Sequence, residues 1–243
     1  MTHTFHPTVL REYDIRGVIG ETLGPDDARA IGRGFGTRIA RAGGKKVAVG
    51  YDGRVSSPVL EHALVEGLNA SGIDVVRIGL GPTPMLYYAA ASMPEVDGGI
   101  QITGSHNPAN YNGFKMVFQG RPFFGPDILD LGALAGSGDW ESGNGTSETV
   151  DIMDEYVARL LKGLDGIAPA ELEGLSIAWD AGNGAAGPVV EKLTALLPVI
   201  KRQTSLATST TLSSANMGVL SAVVGSTNAT AIGNGIDRKS TRL

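Results

Sequence analysis

Lys46-Val47-Ala48-Val49-Gly50-Tyr51 is a short apolar run that stops at the turn pair Asp52-Gly53. A run of this length bounded by a turn reads as a β-strand. On its N-terminal side Ala28, Ile31, Phe35 and Ile39 recur at helical steps, which predicts a helix with one apolar stripe. Asp26 and Asp27 are its expected caps, and Gly43-Gly44 its expected end. On the C-terminal side Ser57-Pro58 reads as N-cap and first helical residue. Leu60, Leu64 and Leu68 follow at four-residue steps, and Gly72 closes that helix. Residues 74–78 form the next expected strand, and Thr83-Pro84 opens a further helical stretch. Residues 98–103 read as a strand running into a polar turn, and residues 114–119 as another strand. Strands alternating with helices predict an α/β fold: a mixed, largely parallel sheet with flanking helices.

This pattern covers residues 1–135, a first domain. Residues 136–150 change character. Gly136-Ser137-Gly138-Asp139 and Ser142-Gly143-Asn144-Gly145-Thr146-Ser147 read as a linker. The α/β pattern restarts at residue 151 as a second, truncated α/β domain over 151–198. A helix is expected over 151–162, with Ile152, Tyr156, Leu160 and Leu161 on its buried side. A strand over 175–179 runs into Asp180-Ala181-Gly182-Asn183-Gly184-Ala185-Ala186-Gly187-Pro188, and a helix through Val190, Leu193 and Leu197 follows. Residues 199–243 differ again. From residue 201 onward there are 14 Ser plus Thr, one acid (Asp237) and no aromatic, whereas residues 1–200 hold 24 acids. With no helical or strand period, this stretch is expected to be a disordered tail. The sudden loss of acids and aromatics resembles a change of reading frame.

Composition narrows the function classes. Hydrophobic residues make up 42% and charged residues 19% of 243, a globular balance rather than a disordered or fibrous one. The net charge of -5 gives no electrostatic footprint for nucleic acid. There is no cysteine, which excludes disulfides, thiol nucleophiles and thiolate metal sites. No run of 18 apolar residues suggests a membrane span. The first ten residues lack the basic and apolar regions of a secretory signal, so a cytoplasmic location is expected.

Thr103-Gly104-Ser105-His106-Asn107-Pro108, with Asn112-Gly113-Phe114-Lys115 after it, carries the most chemistry. Ser105 lies on a loop just after a strand, where α/β folds place ligands. Gly104 is expected to turn the backbone and keep the hydroxyl accessible. Lys115 brings a positive charge or a base. The second glycine of a hydrolase nucleophile elbow is missing. On spacing alone the loop reads equally well as an ordinary polar turn. Arg11-Glu12-Tyr13-Asp14-Ile15-Arg16-Gly17 holds two arginines, suited to phosphate or carboxylate, but reads first as a solvated, charged strand start. Asp52-Gly53-Arg54 with Ser56-Ser57-Pro58 reads as a turn and a helix cap. Gly182-Asn183-Gly184-Ala185-Ala186-Gly187 has the position of a phosphate loop but not the dinucleotide spacing.

Taken together and in order, these segments resemble the α-D-phosphohexomutase family, in its phosphomannomutase/phosphoglucomutase branch, over roughly residues 8–198. The resemblance implies a phosphoserine enzyme that interconverts hexose 1- and 6-phosphates, of mannose or glucose. Ser105 matches the serine that carries the phosphoryl group and passes through a bisphosphorylated sugar. His106 and Lys115 match residues around the transferring group, with Lys115 a candidate proton shuttle. Tyr13 and Arg16 match cleft residues expected to bind substrate. The family uses Mg²⁺, held by the serine phosphate and three aspartates, so Ser105 is also the expected metal contact through its phosphate.

The resemblance stops near Pro198. The family's Asp-x-Asp-x-Asp-Arg metal loop and its third and fourth domains have no counterpart in the sequence, so this chain is expected to be an inactive fragment. A phosphoglucosamine mutase is an alternative, against which Thr103-Gly104 speaks. A non-catalytic sugar-phosphate-binding fragment is another.

Overall fold

Val47 and Val49 point to one face of a central sheet and Ala48 to the other, as strand alternation requires. Helices cover both faces of this sheet. The computed structural model describes residues 2–173, 176–181, 184–197, 201–204 and 221–225. In chain order the elements of the main body are β1 (Ile15–Val18), α1 (Pro25–Arg41), β2 (Lys46–Tyr51), α2 (Ser57–Ala70), β3 (Asp74–Leu80), α3 (Thr83–Ser92), β4 (Gly98–Ile102), β5 (Tyr111–Phe118), β6 (Arg121–Phe123), α4 (Pro126–Ser137) and β7 (Ser147–Thr149). After them come α5 (Met153–Leu161), α6 (Pro169–Leu172), β8 (Ser176–Asp180), α7 (Gly187–Ala195), β9 (Lys201–Thr204) and β10 (Ser221–Gly225).

The sheet order is β1-β5-β4-β2-β3-β7, with β6 also on β5. β4, β2, β3 and β7 pair in parallel, while β5 is antiparallel to β1, β4 and β6. Every strand but β5 therefore runs the same way, the mixed and largely parallel sheet that the alternation predicts. β8 forms a second sheet with β9 in parallel and β10 antiparallel.

One core lies between this sheet and α1, α2 and α4. The predicted stripes fill it: Ala28, Ile31, Phe35 and Ile39 from α1, and Leu60, Leu64 and Leu68 from α2, are all buried. Phe35 meets Phe118 and Phe123 edge-on at 6.0 and 5.4 Å. The other face carries α3, α5 and α7, whose Met85, Leu86, Tyr156, Val157 and Val189 pack with Ala48, Val76 and Ile78.

Several local expectations need correction. The cap of α1 is Gly24, with Pro25 first in the helix. Asp27 sits in the first turn, and its carboxylate accepts the Gly24 N–H at 2.8 Å. The cap of α2 is Ser56, and Ser57 is already helical. On α5 Ile152 and Tyr156 are buried as expected, while Val157 is buried in place of Leu160, which is exposed. Part of the stretch read as a linker is structured. α4 reaches Ser137, and Ser147–Thr149 is the edge strand of the main sheet. Asp74 holds that strand by accepting the Thr146 N–H and hydroxyl, which keeps the Asp74 carboxyl below its usual range.

Candidate active site

The strand ends decide the site. β2 ends at Tyr51 and β4 at Ile102, side by side in parallel register. Their loops, 52–56 and 103–110, therefore leave the same edge of the sheet, where open α/β folds place ligands. Ser105 sits at the turn of the second loop with φ = 53°. A non-glycine residue in the left-handed region is uncommon and costs free energy that the surroundings must offset. The sequence places the special backbone at Gly104; the structure places it at Ser105. Gly104 is needed for a different reason. A Cβ there would lie 2.2 Å from the Arg54 guanidinium carbon.

The backbone around Ser105 is held on every side. Its N–H donates to Thr103 Oγ1 at 2.9 Å. The Gly104 N–H donates to Asp52 Oδ2 at 3.0 Å, and Asn107 Nδ2 donates to the Gly104 carbonyl at 2.9 Å. Arg54 lies beneath the loop, 3% exposed. Its two terminal nitrogens donate to the carbonyls of Ser105, Asn107, Pro108 and Tyr111 at 2.6–3.1 Å. The reading of Asp52-Gly53-Arg54 as only a turn is thus corrected, because this turn supplies the loop's inner scaffold. The signal was an arginine two residues after an aspartate at a strand end, too short a pattern to interpret alone.

The side chains sort by access. Ser105 and Lys115 line one cavity of about 410 Å³, with Asp52, Arg54, Thr83, Tyr87 and residues 184–186 in its walls. The starts of α3 and α7 border it, so two positive helix ends lie at one space. Partial burial pushes the Tyr87 hydroxyl up, favouring its neutral form. Ser105 Oγ lies 3.3 Å from His106 Nδ1, and either can donate according to the imidazole tautomer. Ser57, by contrast, is fully buried. Its hydroxyl donates to Asp52 and accepts from Asn112.

The N-terminal motif approaches from β1. Asp14 is buried rather than solvated and pairs with Arg16. Its Oδ2 also lies 3.8 Å from Lys115 Nζ, a long ion pair rather than a hydrogen bond. Register explains the meeting, since β1 pairs with β5, which carries Lys115. Arg16 therefore reaches the site through Asp14 and does not line the cavity. Tyr13 is also outside the cavity wall; it is 75% exposed and stacks with Phe124 at 6.4 Å. Asp14 belongs to the site although the sequence assigned it no role. Gly182 and Asn183 of the glycine-rich loop, and Asp237 of the tail, lie outside the described residues.

Comparison with known proteins agrees with this architecture. Residues 7–131 match the family model described as phosphoglucomutase/phosphomannomutase, alpha/beta/alpha domain I. The chain is 41% identical over 190 residues to the phosphomannomutase/phosphoglucomutase of Pseudomonas aeruginosa, covering 78% of this chain and 40% of that protein. It is 40% identical over 199 residues to the phosphomannomutase of Salmonella typhimurium, covering 79% and 42%. A phosphoglucomutase/phosphomannomutase family structure from Burkholderia thailandensis superposes with a TM-score of 0.73 at 39% identity, covering 83% of this chain and 44% of that one. The chain thus spans less than half the length of these relatives. With the family model covering the strands and the serine loop just described, the chain belongs to the phosphoglucomutase/phosphomannomutase family, and residues 7–131 are its α/β/α domain I.

Proposed function

We propose that this chain is the phosphoserine-bearing part of a phosphohexomutase acting between hexose 1- and 6-phosphates, of mannose or glucose. The observation that carries the reading is Ser105, held with φ = 53° at a cavity it shares with Lys115. In this reading the phosphoryl group moves from Ser105 Oγ to a sugar hydroxyl. The Oγ–P bond breaks as the sugar O–P bond forms, and the hydroxyl proton passes to a base, for which Lys115 is the candidate. The bisphosphorylated sugar then returns its other phosphoryl to Oγ. Such transfer depends on positioning and charge stabilisation. The starts of α3 and α7 supply positive potential where the phosphoryl oxygens would sit. His106 is placed to orient the hydroxyl. Tyr13 and Arg16 are proposed to contact substrate at the rim. The names of the relatives favour mannose and glucose over glucosamine.

The family implies Mg²⁺, and the residues present do not fit it by themselves. Among the described residues no three His, Cys, Asp or Glu are grouped as a metal site. Asp52, the carboxylate in the cavity wall, is already bonded to Gly104, Arg54 and Ser57. No step is therefore assigned to a metal on these residues. We further propose that residues 151–198 begin the second α/β domain, and that this chain alone has little or no mutase activity, because among the described residues no carboxylate cluster stands ready to hold Mg²⁺. Among the described residues no helix is long and apolar enough to cross a membrane, and a cytoplasmic location belongs to the same reading.

The test is mass spectrometry after incubation with a hexose bisphosphate. Phosphate is expected on Ser105 and lost in Ser105→Ala. Label on Ser56 or Ser57 would reject the assignment. No label on any serine would favour a non-catalytic sugar-phosphate-binding fragment.

A further inference from the structure

We propose that Arg54, together with Asp52, is the positioning pair that holds Ser105 in its left-handed conformation. This rests on the phosphoryl-carrier role proposed for Ser105. Rotation about φ and ψ of Ser105 turns the two peptide planes that flank its Cα. The preceding plane is pinned by Thr103 Oγ1 on the Ser105 N–H and by Asn107 Nδ2 on the Gly104 carbonyl. The following plane is pinned by Arg54 Nη2, which donates to the Ser105 carbonyl at 3.1 Å and to Asn107 at 2.7 Å. With both planes fixed, the Cα–Cβ bond has one direction, and only χ1 remains to place the hydroxyl.

Burying a guanidinium is costly unless its donors are used. Arg54 spends its terminal donors on the serine loop. All four acceptors are carbonyls of residues 105–111, and none belongs to its own turn or to α2. A residue that served only the strand–helix core would bond there. Asp52 completes the pair from the other polarity. It accepts the Gly104 N–H and the Arg54 N–H, and its Oδ2 lies 3.3 Å from Arg54 Nε. Among the described residues that Nε has no hydrogen-bond partner, so the contact there is a charge pair. Lysine cannot replace this arrangement, since its point-like ammonium has no planar fork to reach carbonyls on two sides.

The test uses the full chain and reads the loop directly by NMR and amide hydrogen exchange. In Arg54→Met and Arg54→Ala, exchange at the bonded amides of Gly104, Ser105, Asn107 and Tyr111 is expected to rise about ten- to hundredfold, as for lost charge-assisted bonds. Amides of β2 and β3 should keep their protection. The Ser105 Cα and Cβ shifts should leave the left-handed range. Ethylguanidinium added to Arg54→Ala should restore both signals. Protection lost alike across the sheet, an unchanged loop, or no rescue would overturn the inference. If neither Arg54 variant folds, Gly104→Ala serves instead, because its Cβ would displace the guanidinium that lies 2.2 Å away. The same local release is expected there, and an undisturbed loop would overturn the proposal. Phosphate labelling separates the two readings. A native loop in which Ser105 never takes label rejects the carrier role and leaves the clamp. A released loop in which Ser105 labels at the normal rate rejects the positioning role and leaves the carrier.

Discussion

Lys115 shows how one side chain can be read in two ways. Its neighbours Phe114 and Met116 are buried core residues, while Lys115 itself lines the cavity. Strand alternation separates these duties, because successive side chains face opposite sides of the sheet. Replacing Lys115 with Met keeps most of the volume and removes the charge. Phosphoryl uptake at Ser105 should then slow by roughly 10²-fold or more, the range for general acid–base groups. The Tm should stay near that of the parent chain. A large fall in Tm with uptake retained would mean that the lysine serves the fold. Ser57 and Ser105 make a parallel contrast. Both are serines beside glycine- and proline-rich turns, but one hydroxyl is enclosed by Asp52 and Asn112 and the other opens to the cavity.

At the scale of elements, α1 and α2 cross through two glycines. A Cβ on Gly32 would lie 2.2 Å from the Leu64 carbonyl, and one on Gly67 2.2 Å from the Arg29 carbonyl. The obstacles are backbone atoms, which cannot swing aside. Gly67→Ala should therefore force the helices apart and cost about 1–3 kcal/mol, the range for overpacking. Chemical denaturation would measure this, and an unchanged midpoint would mean the helices slide freely. α4 is tied to the rest by charge. Arg121 hydrogen-bonds Asp127, with Arg38 beside it, and this holds the Asp127 carboxyl below its usual range. A depressed folded-state pKa adds stability above the unfolded value, about 3.9, and loses it as pH falls through the folded value. Stability of the parent chain should thus drop as pH falls below about 4. Asp127→Asn should be less stable at neutral pH and show a flatter acid limb. Equal acid slopes for the two proteins would remove Asp127 from the account.

Across the whole molecule, the second segment completes the first. Ile152, Tyr156, Val157 and Val189 cover Ala48, Val76 and Ile78, and residues 184–186 close one wall of the cavity. Removing residues 150–243 should uncover that apolar face. Burial of a large apolar side chain contributes about 1.5–3 kcal/mol, so a clear loss of Tm and new binding of an apolar dye are expected. Uptake of phosphate at Ser105 should slow as well, since one helix start leaves the site. A truncated chain with the parent Tm and no dye binding would show that the two segments are independent.

The α/β architecture was legible because it depends on local period. The apolar stripes of α1 and α2 and the short run of β2 need no partner to be recognised. The ends of those elements were less legible. Asp26, Asp27, Ser56 and Ser57 are all competent caps, and their position in the turn is settled by where the strands and loops hold the chain. The serine loop stood out as chemistry, and family resemblance supplied its meaning. The roles of Asp14, Asp52 and Arg54 came only from the tertiary structure. Asp14 meets Lys115 because β1 pairs with β5, across about a hundred residues of chain. Arg54 reaches the 105–111 carbonyls because β2 and β4 end side by side. Periodicity along a chain reports which residues are buried. Which charged groups share a burial site depends on strand order and register, and these are set by packing between segments distant in sequence.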